Sequence, residues 1–369
     1  MNYKNIALYE DKKRNGIINN GNTCFINTAI QCLANVYDLT KYMYSTKYIK
    51  DLNRTRKESY ITFEYNNVLT ALIENSETEK SISLANFLHI FCKINSNLDL
   101  AKHITQNEQC DMSEFLIKLI DIIHISLQEN VDIEIKGIPK NNYDRIKLES
   151  INYWIKSIQN EYSKLINLFF GQFIYETYRD TNDSEILYRH FDKFNNISLE
   201  IFNNEDNYTA STLYDCFDYH CKINYLNKNN KYQIGDTNEY VDAKRIVYFW
   251  KLPKYLIISF KRFIYNGSSK KINTLIDFPI DELDLTKYLY KCDEIKSQNA
   301  VKYSLISIGN HIGDSSNSGH YYAITQVRGT DRWILYNDTN SCDIPYQNVE
   351  QLKNRIVSKN VYLLIYEKI

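Results

Sequence analysis

The chain has 369 residues, with 44 lysines and arginines against 45 aspartates and glutamates, and a formal net charge of −1 at pH 7. This length allows a large buried core, and the balanced charge gives no reason to expect binding to nucleic acid or to a membrane. The sequence contains no run of about 18 uncharged apolar residues and no apolar signal segment. Its eight cysteines are widely spaced, which does not indicate a disulfide framework. We therefore expect an intracellular protein, of the cytosol or the nucleus, with free thiols.

The first predicted helix begins at a cysteine. Cys24 follows a polar turn at 19–23, and the apolar residues after it fall at helical spacing: Phe25, Ile26, Ala29, Ile30 and Leu33. A helix N-terminus carries partial positive charge and unpaired amide donors, which stabilise a thiolate and an oxyanion formed beside it. Cys24 is therefore a candidate nucleophile. The alternative is a small buried apolar side chain, which is the usual role of a free cysteine.

Helical patterns dominate the first half of the chain. They run through 24–127 and include helices predicted at 83–94 and 113–127, the second with a single apolar stripe. We expect this half to pack as a helical lobe. The segment at about 131–162 is polar and lysine-rich with an amphipathic tail, and we interpret it as an insertion.

Strand patterns dominate from residue 168 onward. Segments rich in β-branched and aromatic residues lie at 246–250, 255–260, 301–308, 320–327, 332–336 and 361–366. We find no internal repeat and no long low-complexity linker. Helices followed by strands predict an α+β fold.

A candidate base and its partner follow late in the chain. His320 begins a predicted strand directly after Gly319, which leaves room for a substrate backbone. The strand predicted at 332–336 leads into Asn337 and Asp338, residue types that orient an imidazole by accepting a hydrogen bond. Taken singly, these could be a core histidine and a turn. Together with the upstream cysteine they follow the order of a thiol protease.

Several separate segments resemble the ubiquitin-specific proteases, the papain-like class of deubiquitinating enzymes. They stand in the family's order at 16–33, 109–116, 252–263, 271–273, 277–279, 319–321 and 361–366. The resemblance covers about residues 15 to 367. It implies a single catalytic domain over 1–369 with the thumb, palm and fingers of that α+β fold. The thumb, mainly helical, would comprise 16–167, and the strand-rich fingers and palm 168–369.

The resemblance also implies the catalytic residues. Cys24 would be the nucleophile and His320 the base. Asn19 matches the family's oxyanion-stabilising side chain, although an asparagine there could simply form the turn. Asn337 is the aligned third residue of the triad, and Asp338 would support it.

Substrate-binding residues are implied in the same way. Asp111 and Glu114 match carboxylates that bind the arginine-containing tail of ubiquitin. The same pair is also typical of a capping box at the start of the helix predicted at 113–127. Gln109 would support the oxyanion region. The walls of a narrow channel for the two terminal glycines would be Gly319, Tyr321 and, on a nearby loop, His311.

The chain departs from the family where many members bind a structural zinc with four thiols. The aligned positions hold no cysteine and are Thr177, Asp180, Ile234 and Thr237. Cys216, His220 and Cys221 form a cluster too small for a closed zinc site. We expect neither a metal nor another cofactor.

These observations predict a deubiquitinating cysteine protease. It would hydrolyse the isopeptide or peptide bond after the C-terminal Gly-Gly of ubiquitin through a thioester acyl-enzyme, and its partners would be ubiquitin and ubiquitinated proteins. We expect a monomer. Two alternatives stay open: a non-catalytic ubiquitin-binding scaffold, and a protease of another ubiquitin-like modifier. The sequence does not indicate a chain-linkage preference or a physiological substrate.

Overall fold

The computed structural model describes residues 13–74, 81–265, 269–291, 300–315 and 318–369, and the first half of this part is helical. Its helices are α1 (Cys24–Ala34), α2 (Tyr37–Tyr44), α3 (Tyr48–Asp51), α4 (Glu58–Glu74), α5 (Ala85–Ile94), α6 (Asp99–Thr105), α7 (Met112–Ser126), α8 (Asn142–Ile158) and α9 (Lys164–Phe169). Two further helices lie among the strands, α10 (Leu213–His220) and α11 (Val349–Ile356). No helix within these described ranges combines the length and the apolar character that crossing a membrane requires.

The second half forms two main sheets. The smaller, which we call the finger sheet, has the order β2-β1-β9-β6 and comprises β1 (Gly171–Arg179), β2 (Asn182–Phe194), β6 (Asn224–Leu226) and β9 (Ala243–Lys251). The larger, which we call the palm sheet, has the order β17-β16-β15-β14-β18-β10-β3, with β13 beside β14. Its strands are β3 (Ile197–Glu200), β10 (Tyr255–Lys261), β13 (Leu283–Asp284), β14 (Lys302–Ser315), β15 (Ser318–Gln326), β16 (Trp333–Asn337), β17 (Asn340–Asp343) and β18 (Val361–Lys368).

Short two-stranded ribbons complete the described strands. They are β4 (Phe202–Asn203) with β5 (Tyr208–Thr209), β7 (Tyr232–Gln233) with β8 (Tyr240–Val241), and β11 (Phe263–Tyr265) with β12 (Ser269–Lys271).

The palm sheet is buried on both faces, and its central strand β18 shows why. Leu363 and Ile365 pack into the core that the sheet shares with the helices, whereas Leu364 and Tyr366 pack into a second core on the opposite face. Because successive side chains of a strand point to opposite faces, a strand between two cores must be apolar throughout. This explains the continuous apolar run at 361–366.

Three adjacent palm strands and one helix bring the predicted site residues together. In the antiparallel register of β14 and β15, His311 pairs with Tyr321, and in that of β15 and β16, Ala323 pairs with Tyr336. Helix α1 packs against β15. The helix that begins at Cys24 therefore lies over the strands that carry His320 and Asn337.

One local expectation was wrong. His311, expected on a loop, lies within β14 because the hairpin pairing with β15 continues past it. The segment at 131–162 contains the helix α8, which packs on β2, and its interpretation as an insertion stays a prediction. The predicted helices at 83–94 and 113–127 correspond to Ala85–Ile94 and Met112–Ser126.

A buried ion pair holds the finger sheet together. Glu176 of β1 is 1% exposed and accepts a hydrogen bond from Arg189 Nε of β2 at 2.7 Å. The Tyr290 hydroxyl also donates to this carboxylate, at 3.0 Å, and the Tyr178 hydroxyl donates to its second oxygen. The pair thus has the additional hydrogen bonds that a buried carboxylate needs.

We expect Glu176→Gln to lower the free energy of unfolding by about 3 kcal/mol, because it leaves the Arg189 charge without its buried partner. Urea denaturation measures the loss. Glu185→Gln is the matched control, since Glu185 pairs with Arg179 at 2.9 Å but its side chain is 42% exposed. It should cost less than about 1 kcal/mol. Equal, small losses for both variants would contradict a structural role for the buried pair.

Candidate active site

Cys24 is the first residue of α1, as predicted, and is 1% exposed. The turn before it has left-handed backbone at Gly21 (φ 88°) and Asn22 (φ 52°), and Asn22 Nδ2 donates to the Asn107 carbonyl at 2.6 Å. The Thr23 hydroxyl accepts from the turn and makes no cap hydrogen bond to α1. The positive end of the helix dipole therefore acts directly beside the thiol.

His320 contacts both of its predicted partners. Its Nε2 donates to Asn337 Oδ1 at 2.5 Å, and its ring also hydrogen bonds with Cys24. The hydrogen bond to Cys24 raises the pKa of His320 to about 9, with help from Asn337 and against the effect of burial. The ring is therefore an imidazolium at neutral pH. A chain of hydrogen bonds thus runs from Cys24 through His320 to Asn337.

Asp338 lies beside His320 but bonds elsewhere. Its Oδ2 is 4.0 Å from His320 Nε2, whereas its two oxygens accept from Asn19 Nδ2 at 2.9 Å and Asn27 Nδ2 at 2.8 Å. Asn19 Oδ1 in turn accepts from the Thr23 amide at 3.1 Å. Both ends of the Asn19 amide are therefore fixed. Sequence analysis missed Asn27, which lies outside the apolar stripe of α1 but is buried because the whole helix is.

Gln109 spans the cleft beside Cys24. Its Nε2 lies 3.7 Å from Cys24 Sγ and donates to the Gly319 carbonyl on β15. The side chain thus links the segment before α7 to the palm sheet. Its support of the oxyanion region stays a prediction, and the contact with Gly319 was not expected.

The predicted channel wall is tightly packed around Gly319. This residue has φ 153°, and a Cβ built on it would lie 2.4 Å from His311 Nε2 and 2.3 Å from the Ile312 carbonyl oxygen. The His311 ring is fully buried, 4.6 Å from the Tyr321 ring between centroids. Burial lowers the pKa of His311 to about 4, with help from the nearby Lys271 and His320 cations. His311 is thus a neutral ring beneath Gly319.

The two predicted tail-binding carboxylates differ in their surroundings. Asp111 Oδ1 caps α7 by accepting from the amides of Ser113 at 2.6 Å and Glu114 at 3.1 Å, and its Oδ2 accepts from the Tyr362 hydroxyl. Glu114 is exposed at the surface, but neighbouring atoms partly shield its carboxylate from water, and this shielding together with the charge of Asp111 raises its pKa. Sequence analysis missed Tyr362.

Both carboxylates border one cavity. It has a volume of about 540 Å³ and is lined by Asn22, His103, Asn107, Glu108, Gln109, Cys110, Asp111 and Glu114. The cavity therefore connects the turn before Cys24 with the start of α7, and its lining is rich in acidic side chains.

Within the described residues, no group of three or more histidine, cysteine or acidic side chains is arranged to hold a metal ion. Burial raises the pKa values of the Cys216 and Cys221 thiols to about 12. The groups gathered around Cys24 are a thiol, an imidazole and amide donors.

We expect Cys24→Ala to lower the pKa of His320 from about 9 toward its ordinary value of 6.5, because it removes the largest cause of the shift. NMR titration of labelled histidines measures this, with Cys342→Ala as the matched control that leaves the titration unchanged. The raised pKa also means that this proton stabilises the fold fully below pH 6.5 and less as the pH rises through 9. A His320 pKa near 6.5 in the unsubstituted protein would refute the thiol–imidazole contact.

Sequence comparison matches the whole of this region to one family. The model of the ubiquitin carboxyl-terminal hydrolase family matches residues 15–366. The chain is 27% identical over 355 residues to ubiquitin carboxyl-terminal hydrolase 2 of Homo sapiens, covering 95% of this chain and 54% of that protein. It is 26% identical over 370 residues to Usp2 of Drosophila melanogaster, covering 99% and 36%. The chain thus spans about half or less of the length of these curated relatives.

Solved structures agree on the fold. A chain of the SAGA DUB module Ubp8/Sgf11/Sus1/Sgf73 bound to ubiquitin aldehyde matches with a TM-score of 0.72 and 23% identity, covering 96% of this chain and 69% of that one. A chain of the module bound to monoubiquitin matches with a TM-score of 0.71, 22% identity and the same coverage. The predicted α+β class is confirmed. From residue 15 to residue 366, the chain belongs to the ubiquitin carboxyl-terminal hydrolase family.

Proposed function

We propose that this chain is a deubiquitinating cysteine protease that cleaves the isopeptide or peptide bond after the C-terminal Gly-Gly of ubiquitin. The observation that carries the proposal is the continuous contact of Cys24, His320 and Asn337 at the N-terminus of α1. Family membership and the ubiquitin-bound structural neighbours support the proposed substrate class.

The reaction begins with an ion pair. The Cys24 proton resides on His320, which the raised pKa of the imidazole favours. The thiolate attacks the carbonyl carbon of the terminal glycine, and the imidazolium protonates the departing lysine amine. Water, deprotonated by the neutral imidazole, then cleaves the thioester and releases the carboxylate of ubiquitin and the thiol. Asn337 holds the ring orientation through both steps.

Charge on the tetrahedral intermediate requires a donor that is already oriented. The Asn19 amide nitrogen carries two protons, and Asp338 accepts one of them. With its carbonyl oxygen held by the Thr23 amide, Asn19 keeps its second proton available for the oxyanion. In this proposal Asp338 acts through Asn19 and only secondarily through the charge of His320.

The tail of ubiquitin would enter between Gln109 and Gly319. A Cβ on Gly319 would clash with the buried His311 ring and the Ile312 carbonyl, so this wall of the passage must be a glycine. Glu114, on the acidic cavity, is placed to receive an arginine of the tail. Asp111 contributes its charge and keeps the end of α7 in place, because both of its oxygens already accept hydrogen bonds.

The two alternatives have less support. A non-catalytic scaffold does not need a thiol and an imidazole held in hydrogen-bond contact. A protease of another modifier would share the chemistry and differ in the residues that read the body of the modifier. We infer that the protein works in a reducing intracellular compartment, because the mechanism needs a free Cys24 thiol.

A ubiquitin probe with a C-terminal electrophile tests the function. We expect a covalent mass increase of one ubiquitin with the unsubstituted protein and with the control Cys342→Ala, and none with Cys24→Ala. Binding without a covalent adduct would support the scaffold instead. Labelling by the corresponding probe of another modifier, but not by the ubiquitin probe, would indicate a protease of that modifier.

A double-mutant cycle tests the role of Asp338. We expect Asn19→Ala to lower kcat about 10²–10³-fold, as removal of an oxyanion donor typically does. Asp338→Asn should lower kcat by a smaller factor, and the double variant should be no slower than Asn19→Ala alone. Kinetics with a fluorogenic ubiquitin substrate measure all three. Fully multiplicative losses would show that Asp338 acts independently of Asn19, directly on His320.

A further inference from the structure

Arg14 is buried behind the helix that begins at Cys24. It is 5% exposed. Three of its hydrogen bonds go to α1 and to Asn35, the residue directly after this helix. Nε donates to Gln31 Oε1 at 3.0 Å, Nη2 to the Gln31 carbonyl at 3.1 Å, and Nη1 to Asn35 Oδ1 at 3.0 Å. The guanidinium group is thereby fixed relative to the helix axis.

The same residue also bonds to the palm sheet. Nη2 donates to Thr325 Oγ1 on β15 at 2.9 Å, and the backbone amide of Arg14 donates to the Tyr336 hydroxyl on β16 at 2.8 Å. The guanidinium carbon lies 5.1 Å from the centre of the Tyr336 ring. Thr325 is on the strand that carries His320, and Tyr336 immediately precedes Asn337.

The shape of arginine suits this position. Its planar guanidinium presents five donors in fixed directions, so one group can bind acceptors on two elements at once, which a lysine ammonium on a flexible stem cannot do equally. The acceptors on Gln31 and Asn35 belong to the helix side and the acceptor on Thr325 to the palm sheet, so one guanidinium group ties the two elements together.

The backbone after Arg14 continues to the proposed oxyanion donor. The Ile17 amide donates to the Asp338 carbonyl at 2.7 Å. A Cβ built on Gly16 would lie 2.2 Å from the Thr339 carbonyl oxygen, so the segment around Gly16 lies directly against the β16–β17 turn. A displacement of Arg14 would therefore also displace Asn19 and the turn that follows Asn337.

We propose that Arg14 is a positioning residue that fixes α1, with Cys24, against β15 and β16, with His320 and Asn337. It acts through its hydrogen bonds and touches none of the reacting atoms. The inference rests on the proposed function only in taking Cys24 and His320 as the reacting pair.

Removing the acceptors on the palm tests the proposal without altering Arg14. Thr325→Val combined with Tyr336→Phe keeps side-chain volume and leaves the bonds to Gln31 and Asn35 intact. We expect kcat for a fluorogenic ubiquitin substrate to fall about tenfold or more, because small displacements of reacting groups are costly, with KM changed less than about twofold. Thr325→Val alone, which is isosteric, should show the same direction and serves if the double variant does not fold.

Alkylation of Cys24 by iodoacetamide gives a second readout that needs no ubiquitin. Loosening the contact with the imidazole makes the thiol a poorer nucleophile, so alkylation at neutral pH should be slower in the palm variants and in Arg14→Met, with Arg14→Lys between Met and the unsubstituted protein. Arg56→Met is the matched control. Arg56 donates to the Ile125 carbonyl at 2.6 Å within the helical half, and its loss should change only the melting temperature.

Palm variants with a lower melting temperature but an unchanged kcat and alkylation rate would overturn the proposal and leave Arg14 a purely structural residue. Failure of the proposed function looks different. In that case the unsubstituted protein would not turn over ubiquitin, while the alkylation rate would still report whether Arg14 sets the pairing of Cys24 with His320.

Discussion

The hydrogen bond between Cys24 and His320 joins two parts of the fold that have no secondary structure in common, and the site depends on it. Cys24 belongs to a helix and His320 to a strand of the palm sheet, so their separation is set by side-chain contacts between the two. The Asn35 amide, for example, donates to the Ile306 carbonyl on β14 at 2.7 Å. A thiolate and an imidazolium stabilise one another only at short range, so packing errors at this interface become losses of reactivity.

The cleft beside this pair is bridged as the structure stands. Gln109 contacts the Gly319 carbonyl across the passage through which, on the proposed function, the tail of ubiquitin would run. The tail must then break this contact and supply the free energy for doing so from its own interactions, including any with Glu114. An amide close to Cys24 Sγ would be released in the same event. On the proposed function, Gln109 would therefore couple substrate binding to exposure of the thiol.

The parts of the site that follow local sequence rules could be predicted, and the parts set by long-range contacts could not. Cys24 was identifiable because polar turn residues precede a helical period, and His320 because a strand pattern follows a glycine. The bonds of Asp338 depend on its left-handed backbone (φ 50°) and on a chain segment far away in sequence. His311 was assigned to a loop, but pairing with β15 extends the strand past it. No local sequence pattern indicates the contact of Gln109 with a backbone carbonyl.

The finger sheet shows how a region can keep its shape with a different chemistry. Where many relatives by resemblance place zinc-binding thiols, this chain has Thr177 on β1, and the Arg245 side chain of the neighbouring strand donates to its hydroxyl at 3.4 Å. Arg179 pairs with Glu185 at 2.9 Å. The carboxylate of the buried Glu176 accepts hydrogen bonds from three side chains. A buried carboxylate with complete hydrogen bonding fixes strand register, because each donor must sit at its own position along the sheet. Directional polar contacts thus restrain the geometry of the finger sheet.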